Sequence, residues 1–179
     1  MKIGLIRHFK VDIRKNPFMT SKQYNEYMKN YDVSDVIPNE LVVDKYWEKC
    51  YCSSMPRAVT TAKTVYHGEI IITDKLVEIP SAAWTNINIP LPYNFWALAN
   101  RLAWIISHVS QPEGRKVTLK RINEILDEIL KEKDKDILIV SHAGTLYEIR
   151  KILLKKGFRG EGFTKARNGR LYILEKRKD

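Results

Sequence analysis

Asp136-Ile137-Leu138-Ile139-Val140-Ser141-His142-Ala143-Gly144-Thr145 reads as a strand that runs directly into a helix. Four consecutive apolar residues after Asp136 are the pattern of a strand covered on both faces, as in a parallel sheet. Ser141 to Thr145 then leads into a helical stretch, Leu146 to Lys156, which Gly157 closes. The same strand-then-helix unit recurs toward the N-terminus. Lys2 to Arg7 is a buried strand, Lys49 to Ser53 a second, and Glu69 to Thr73 a third, its Ile70-Ile71-Ile72 run β-branched and continuous as buried parallel strands are. Pro56 stands where a first helical turn tolerates proline, with Ser54 as the expected N-cap of a helix over 56 to 66. Residues 20 to 31 are weakly helical, and Arg170 to Lys176 alternates as a final strand. Strands alternating with helices predict an α/β sandwich with a mostly parallel sheet.

Between the third and fourth strands lie two amphipathic helices. Asn94 to Val109 sets Trp96, Ala99, Leu102, Ile105, Ile106 and Val109 on one face, and Thr118 to Lys131 does so with Leu119, Ile122, Leu126, Ile129 and Leu130. The first could lie on a membrane surface, but Arg101 and the lack of a cationic flank favour core packing. Residues 80 to 94, with Pro80, Pro90 and Pro92, form an irregular connector. No repeat, low-complexity tract or second domain stands out, so residues 1 to 179 read as one domain.

Composition sets bounds. With 179 residues and 44% hydrophobic content the chain can bury a core, and no run of 18 apolar residues exists to span a membrane. Charge interrupts the N-terminus too early for a signal peptide, so a cytoplasmic protein is expected. Cys50 and Cys52 are too close for an ordinary disulfide and read as buried thiols in a reducing compartment. The formal charge of +10 suggests an anionic ligand, a polyanion or an acidic surface. Residues 150 to 179, however, hold eleven cations against three anions, and the other 149 residues hold 20 against 18. A solvated basic tail and strand edge is therefore favoured over a nucleic-acid partner.

In open parallel sheets, ligands gather beyond the carboxyl ends of the strands. His8 follows strand one, Arg57 opens the helix after strand two, Glu78 lies just past strand three and His142 follows strand four, with Arg7 beside His8. Each is ordinary alone, and their convergence is the signal. Arg57 at a helix start opposes the macrodipole unless an anion compensates. A bound phosphate would do so, meeting backbone N–H groups and a planar guanidinium fork.

Leu5-Ile6-Arg7-His8, Cys52-Ser53-Ser54-Met55-Pro56-Arg57-Ala58-Val59-Thr60-Thr61-Ala62, Leu76-Val77-Glu78 and Val140-Ser141-His142-Ala143-Gly144 resemble, in order and spacing, the four blocks of the histidine phosphatase superfamily, the phosphoglycerate-mutase-like proteins. The resemblance implies a three-layer sandwich, its central sheet flanked by helices, and a metal-independent, cofactor-free phosphatase acting on a phosphorylated small molecule. It makes His8 the nucleophile that becomes phosphohistidine, Arg7, Arg57 and His142 the phosphate-binding groups, and Glu78 the proton donor and acceptor. The connector and following helix, residues 80 to 114, take the place of a lid. Departures fall beside His8, where Phe9-Lys10 replaces Gly-Glu and Arg14 stands where the family has an Asn. Lys10 and Asn16 are thereby candidate substrate contacts. Phenylalanine also lacks glycine's freedom to shape that loop.

Other readings remain: a mutase-type phosphoryl transfer, a protein phosphohistidine phosphatase, and a non-catalytic phosphate or polyanion binder. A metal site built from His8, His142 and the Cys50/Cys52 pair is disfavoured, because the nearby arginines would repel a cation.

Overall fold

Strands and helices alternate along the chain as β1 (Lys2–Arg7), β2 (Lys10–Val11), β3 (Phe18–Met19), α1 (Ser21–Val33), β4 (Val36–Ile37), β5 (Lys49–Ser53), α2 (Pro56–Val65), β6 (Ile70–Thr73), β7 (Leu91–Pro92), α3 (Tyr93–Ile105), α4 (Arg115–Ile129), β8 (Ile137–Ser141), α5 (Ala143–Lys155), β9 (Arg159–Gly160) and β10 (Leu171–Glu175). A 3-10 turn, Asp74–Leu76, follows β6. The computed structural model describes residues 1–38, 41, 43 and 47–176. Arg177 and Lys178 of the basic C-terminal segment lie outside the described residues. No helix among the described residues is long and apolar enough to cross a membrane.

The chain forms two compact units. The first, residues 1–11, 35–78 and 121–179, carries a six-stranded sheet in the order β6-β5-β8-β1-β10-β9. Four strands run parallel, β10 pairs antiparallel with β1 and β9 antiparallel with β10, which gives the mostly parallel sheet expected. Side-chain alternation supplies two apolar layers. Ile3 and Leu5 of β1, Tyr51 of β5, Ile137 and Ile139 of β8, and Tyr172 and Leu174 of β10 pack in one core with Ile122, Leu126 and Ile129 of α4 and Leu146, Ile149 and Leu153 of α5. The intervening residues, Ile6, Cys50, Cys52, Leu138 and Val140, pack on the other face with Ala58, Ala62 and Val65 of α2. Both cysteines are buried free thiols in that second layer, and burial pushes Cys50 up to about 12. Gly157, at φ +92°, ends α5 in a Schellman arrangement: Phe158 N–H donates to the Leu153 carbonyl and Gly157 N–H to that of Leu154.

Two expectations for this unit need correction. The Ile70-Ile71-Ile72 strand is not buried on both faces, because it forms an edge of the sheet and Ile72 is 51% exposed. Ser54 does not cap α2. Met55 occupies the N-cap, and the Ser54 hydroxyl instead hydrogen-bonds the Asp74 carboxylate.

The second unit, residues 12–34 and 79–120, holds α1, α3, the start of α4 and the two-stranded β3/β7 ladder, and takes in residues 80 to 114. Thr20 and Gln23 form a capping box that fixes the start of α1. Met19, Tyr24 and Trp96 centre its core, with Trp96 Nε1 donating to the Met19 carbonyl at 2.7 Å. The expected core face of α3 is wrong. Trp96 is buried, but the other inward residues are Asn100, Ala103 and Trp104, whereas Leu102, Ile105, Ile106 and Val109 are exposed. Both sides of this helix are apolar, and a period of 3.6 cannot tell which of two apolar faces turns inward.

Candidate active site

Three central strands of the first unit end level with one another. Register pairs Arg7 of β1 with Ser141 of β8, and Cys52 of β5 with Val140 of β8, so the residues just beyond these ends meet in one place. His8, Ser53 and His142 are thereby collected from distant parts of the sequence. His8 N–H extends the ladder by donating to the Ser141 carbonyl at 3.0 Å. The imidazole rings of His8 and His142 lie 5.0 Å apart between centroids.

His8 is buried, and its Nδ1 is 2.6 Å from the Phe9 carbonyl oxygen. A carbonyl can only accept, so Nδ1 carries the proton and Nε2 the lone pair. Burial, then the Arg57 and Arg7 guanidiniums, lower its pKa to about 3 against a backbone bond to Phe9 that acts the other way. The ring is therefore neutral at physiological pH. His142, the N-cap residue of α5, is held well below the ordinary histidine value by burial, then by Arg57, His8, Arg7 and Arg121. Its Nε2 is 2.8 Å from the Ser53 hydroxyl, and its Nδ1 is buried with no hydrogen-bond partner among the described residues.

Arg57 sits in the first turn of α2 and is only 2% exposed, so the cation at a helix start is also a buried one. A buried guanidinium and the positive helix end together favour an anion. Arg7 Nη1 donates to the Ala166 carbonyl at 3.0 Å, while its Nε is buried without a partner among the described residues. Glu78 receives the Gly144 and Thr145 N–H groups at 3.2 and 3.1 Å, so its carboxylate rests on the first turn of α5. All five residues predicted for the site belong to this one unit.

Phe9 does not distort the loop. Its backbone is not among the positive-φ residues, its ring is buried in the second apolar layer, and its N–H donates to Thr61 Oγ1 at 2.9 Å. Lys10 is exposed on β2, paired with Ile37 of β4. Asn16 is exposed in the second unit. No group of three or more His, Cys, Asp or Glu among the described residues is placed to hold a metal ion.

Four supporting residues escaped the sequence reading. Thr61 Oγ1 donates to the Arg57 carbonyl at 2.7 Å while accepting from Phe9, and Asn168 Nδ2 donates to the His8 and Phe9 carbonyls at 2.8 and 3.2 Å. Ser53 holds His142. Arg121 reaches the carbonyls of Lys75, Val77 and Glu78 at 2.9, 3.0 and 3.5 Å. Ser53 and Thr61 lie inside the block around Arg57, four positions to either side of it, which was the available signal. Asn168 and Arg121 gave none.

No curated protein matches the chain in sequence. Solved structures resemble it in fold. An alpha-ribazole phosphatase from Shigella flexneri has a TM-score of 0.58 at 18% identity, covering 98% of this chain and 90% of its own. A phosphoserine phosphatase from Entamoeba histolytica gives 0.51 at 19%, covering 86% and 80%, and the Bacillus stearothermophilus protein YhfR gives 0.52 at 18%, covering 86% and 80%. The family match takes in Arg57, Glu78 and His142, with Arg7 and His8 on its N-terminal side. Because the model of the histidine phosphatase superfamily, branch 1, matches residues 39–179, most of the sequence, the chain belongs to that superfamily.

Proposed function

We propose that the protein is a metal-independent phosphatase that hydrolyses the phosphate monoester of a small molecule through a phosphohistidine on His8. The observation that carries this reading is the state of the His8 ring: buried, neutral, with its proton fixed on Nδ1 and guanidiniums close enough to depress its pKa. The Nε2 lone pair is then available near neutral pH without prior deprotonation.

In the first step Nε2 attacks phosphorus, the N–P bond forms and the P–O bond to the alcohol breaks, with a proton passing from the Glu78 carboxyl to the leaving oxygen. In the second, water attacks the phosphohistidine and the N–P bond breaks. One water proton returns to Glu78, the other stays on inorganic phosphate, and His8 is restored. Arg7, Arg57 and His142 supply the charge and hydrogen bonds for the phosphoryl oxygens in both steps, so the scheme calls on no metal. The α2 N-terminus adds its positive end beside Arg57.

Turnover of an aryl phosphate by wild type and His8→Ala, with acid-labile phosphate trapped on the chain by rapid quenching, tests the proposal. Wild type is expected to turn over and to carry label, and His8→Ala to lose both. Equal rates in the two proteins would overturn the nucleophile, and phosphate binding without turnover of any monoester in a broad panel would favour a non-catalytic binder. Activity surviving exhaustive chelation is expected, and loss restored by zinc would argue for a metal.

A further inference from the structure

The outer face of α3 has no role in the chemistry above. Phe95, Leu98, Leu102 and Ile105 of α3 and Ile106 at its C-cap are each between 46% and 72% exposed, and Val109, just past the helix, is 96% exposed. Together they present on the order of 600 Å² of apolar surface, at the upper end of the about 300–600 Å² of the largest patch on a typical monomer. The surrounding sequence is short of charge as well: from residue 79 to 112 only Arg101 is ionised, in a chain with 29% charged residues. That depletion, with aromatics present, is the composition of an interface core.

We propose that this face is where two copies of the chain associate, with their α3 helices antiparallel across a two-fold axis at Leu102. Three observations choose a second copy as the occupant. The apolar positions are symmetric about Leu102: Leu98 and Ile106, the C-cap residue, lie four residues to either side. An antiparallel partner therefore meets Leu98 with Ile106 and Leu102 with itself, as an isologous contact requires. The patch also supplies most of the about 800 Å² per partner of a standard interface. Finally, two chains of formal charge +10 repel one another, and a face with a single ionised residue is where they approach at least cost.

A membrane surface fits less well. An interfacial helix keeps a cationic face in water, but the opposite side of α3 carries buried Trp96, Asn100, Ala103 and Trp104, and the Arg101 guanidinium lies 3.8 Å from the centroid of the Trp104 ring. A helix apolar all round is one that is covered on both sides.

Sedimentation equilibrium of the full chain from about 1 to 100 μM is expected to show a dimer, and Leu102→Glu, which sets two carboxylates together at the axis, a monomer at least tenfold weaker in association. Leu102→Cys is expected to form a disulfide-linked dimer on mild oxidation, while Val117→Cys, exposed elsewhere on the same unit, and the wild type with its two buried thiols do not. Cross-linking keeps the test decisive if Leu102→Glu fails to fold. A monomer at every concentration, a dimer untouched by Leu102→Glu, or no preferential linkage at Leu102 would overturn the proposal. So would a monomer whose binding to vesicles of anionic phospholipid is abolished by Leu102→Glu.

Discussion

Ser53 and His142 share a hydrogen bond of 2.8 Å between the hydroxyl oxygen and ring Nε2, and the same oxygen accepts the Met55 N–H at 3.2 Å. A Ser53 hydroxyl that donates to Nε2 would place the ring proton of His142 on Nδ1. Nδ1 is the buried atom without a partner among the described residues, so in that tautomer it is the donor the proposed phosphate contact needs. Ser53→Ala is expected to lower kcat/KM for an aryl phosphate roughly tenfold, the value of one good hydrogen bond. Steady-state kinetics check this, with Ser53→Thr retaining more of the rate. Unaltered kinetics in Ser53→Ala would remove Ser53 from the tautomer argument.

Both site histidines have pKa values depressed by folding, His8 to about 3. The sign follows: below pH 6.5 the unfolded chain takes up protons that the folded one refuses, so stability is complete above pH 6.5 and declines as pH falls from there toward 3. The slope from each histidine is at most about 1.4 kcal/mol per pH unit. Urea denaturation at several pH values between 7 and 4, comparing wild type with His8→Gln, isolates the His8 share from that of the carboxylates. A difference between the two that does not change with pH contradicts the depressed pKa. In kcat/KM, the acid limb due to His8 is expected well below pH 6.5.

Arg121 spans three carbonyls of the Lys75 to Glu78 segment and so fixes the backbone that carries Glu78. It acts through Glu78 as a positioning residue. Arg121→Met is expected to reduce kcat about tenfold to a hundredfold while KM changes little, because phosphate binding rests on other groups. Arg121→Lys, with one point donor in place of a fork, recovers only part. A rise in KM with kcat intact would mean that Arg121 serves binding instead.

Thr61 joins the His8 loop to α2, since one hydroxyl accepts from Phe9 N–H and donates to the Arg57 carbonyl. Thr61→Val keeps the shape but strands a buried N–H, at a cost of about 1–3 kcal/mol. Chemical denaturation measures the loss, and Thr61→Ser is expected to restore most of it. If Thr61→Val is as stable as wild type, the link is not a structural one.

The fold and the meeting of the strand ends were legible because each rests on a local signal with a global consequence. Apolar runs mark central strands, and strands of a parallel sheet must expose their carboxyl ends together, so His8, Arg57 and His142 converge wherever such a sheet forms. What stayed hidden depends on relations between distant segments. Nothing near Ile70-Ile71-Ile72 says that its strand lies at an edge, because a missing neighbour leaves no trace in the residues themselves. Ser54 has the chemistry of an N-cap, but Asp74, twenty residues on, takes its hydroxyl. In α3, two apolar faces compete, and only the fit of Trp96 against Met19 and Tyr24 decides between them. Asn168 and Arg121 meet their backbone partners across 159 to 160 and 43 to 46 residues, beyond any motif spacing.

The place of β1 between β8 and β10 bears on how the chain comes off the ribosome. β1 has for its sheet neighbours two strands made much later, so during synthesis it waits some 130 residues for β8, on the order of 10 seconds at about 5–20 residues per second. Until then Ile3, Leu5 and Ile6 have no sheet to enter, and β5 with β6 is the part of the sheet that can form earlier. His8 is translated some 130 residues before Ser141 and 160 before Asn168, yet its backbone hydrogen-bonds to both. The surroundings of His8 are thus assembled only after Ser141 and Asn168 have been made, and the apolar side chains of β1 stay without their sheet until β8 follows.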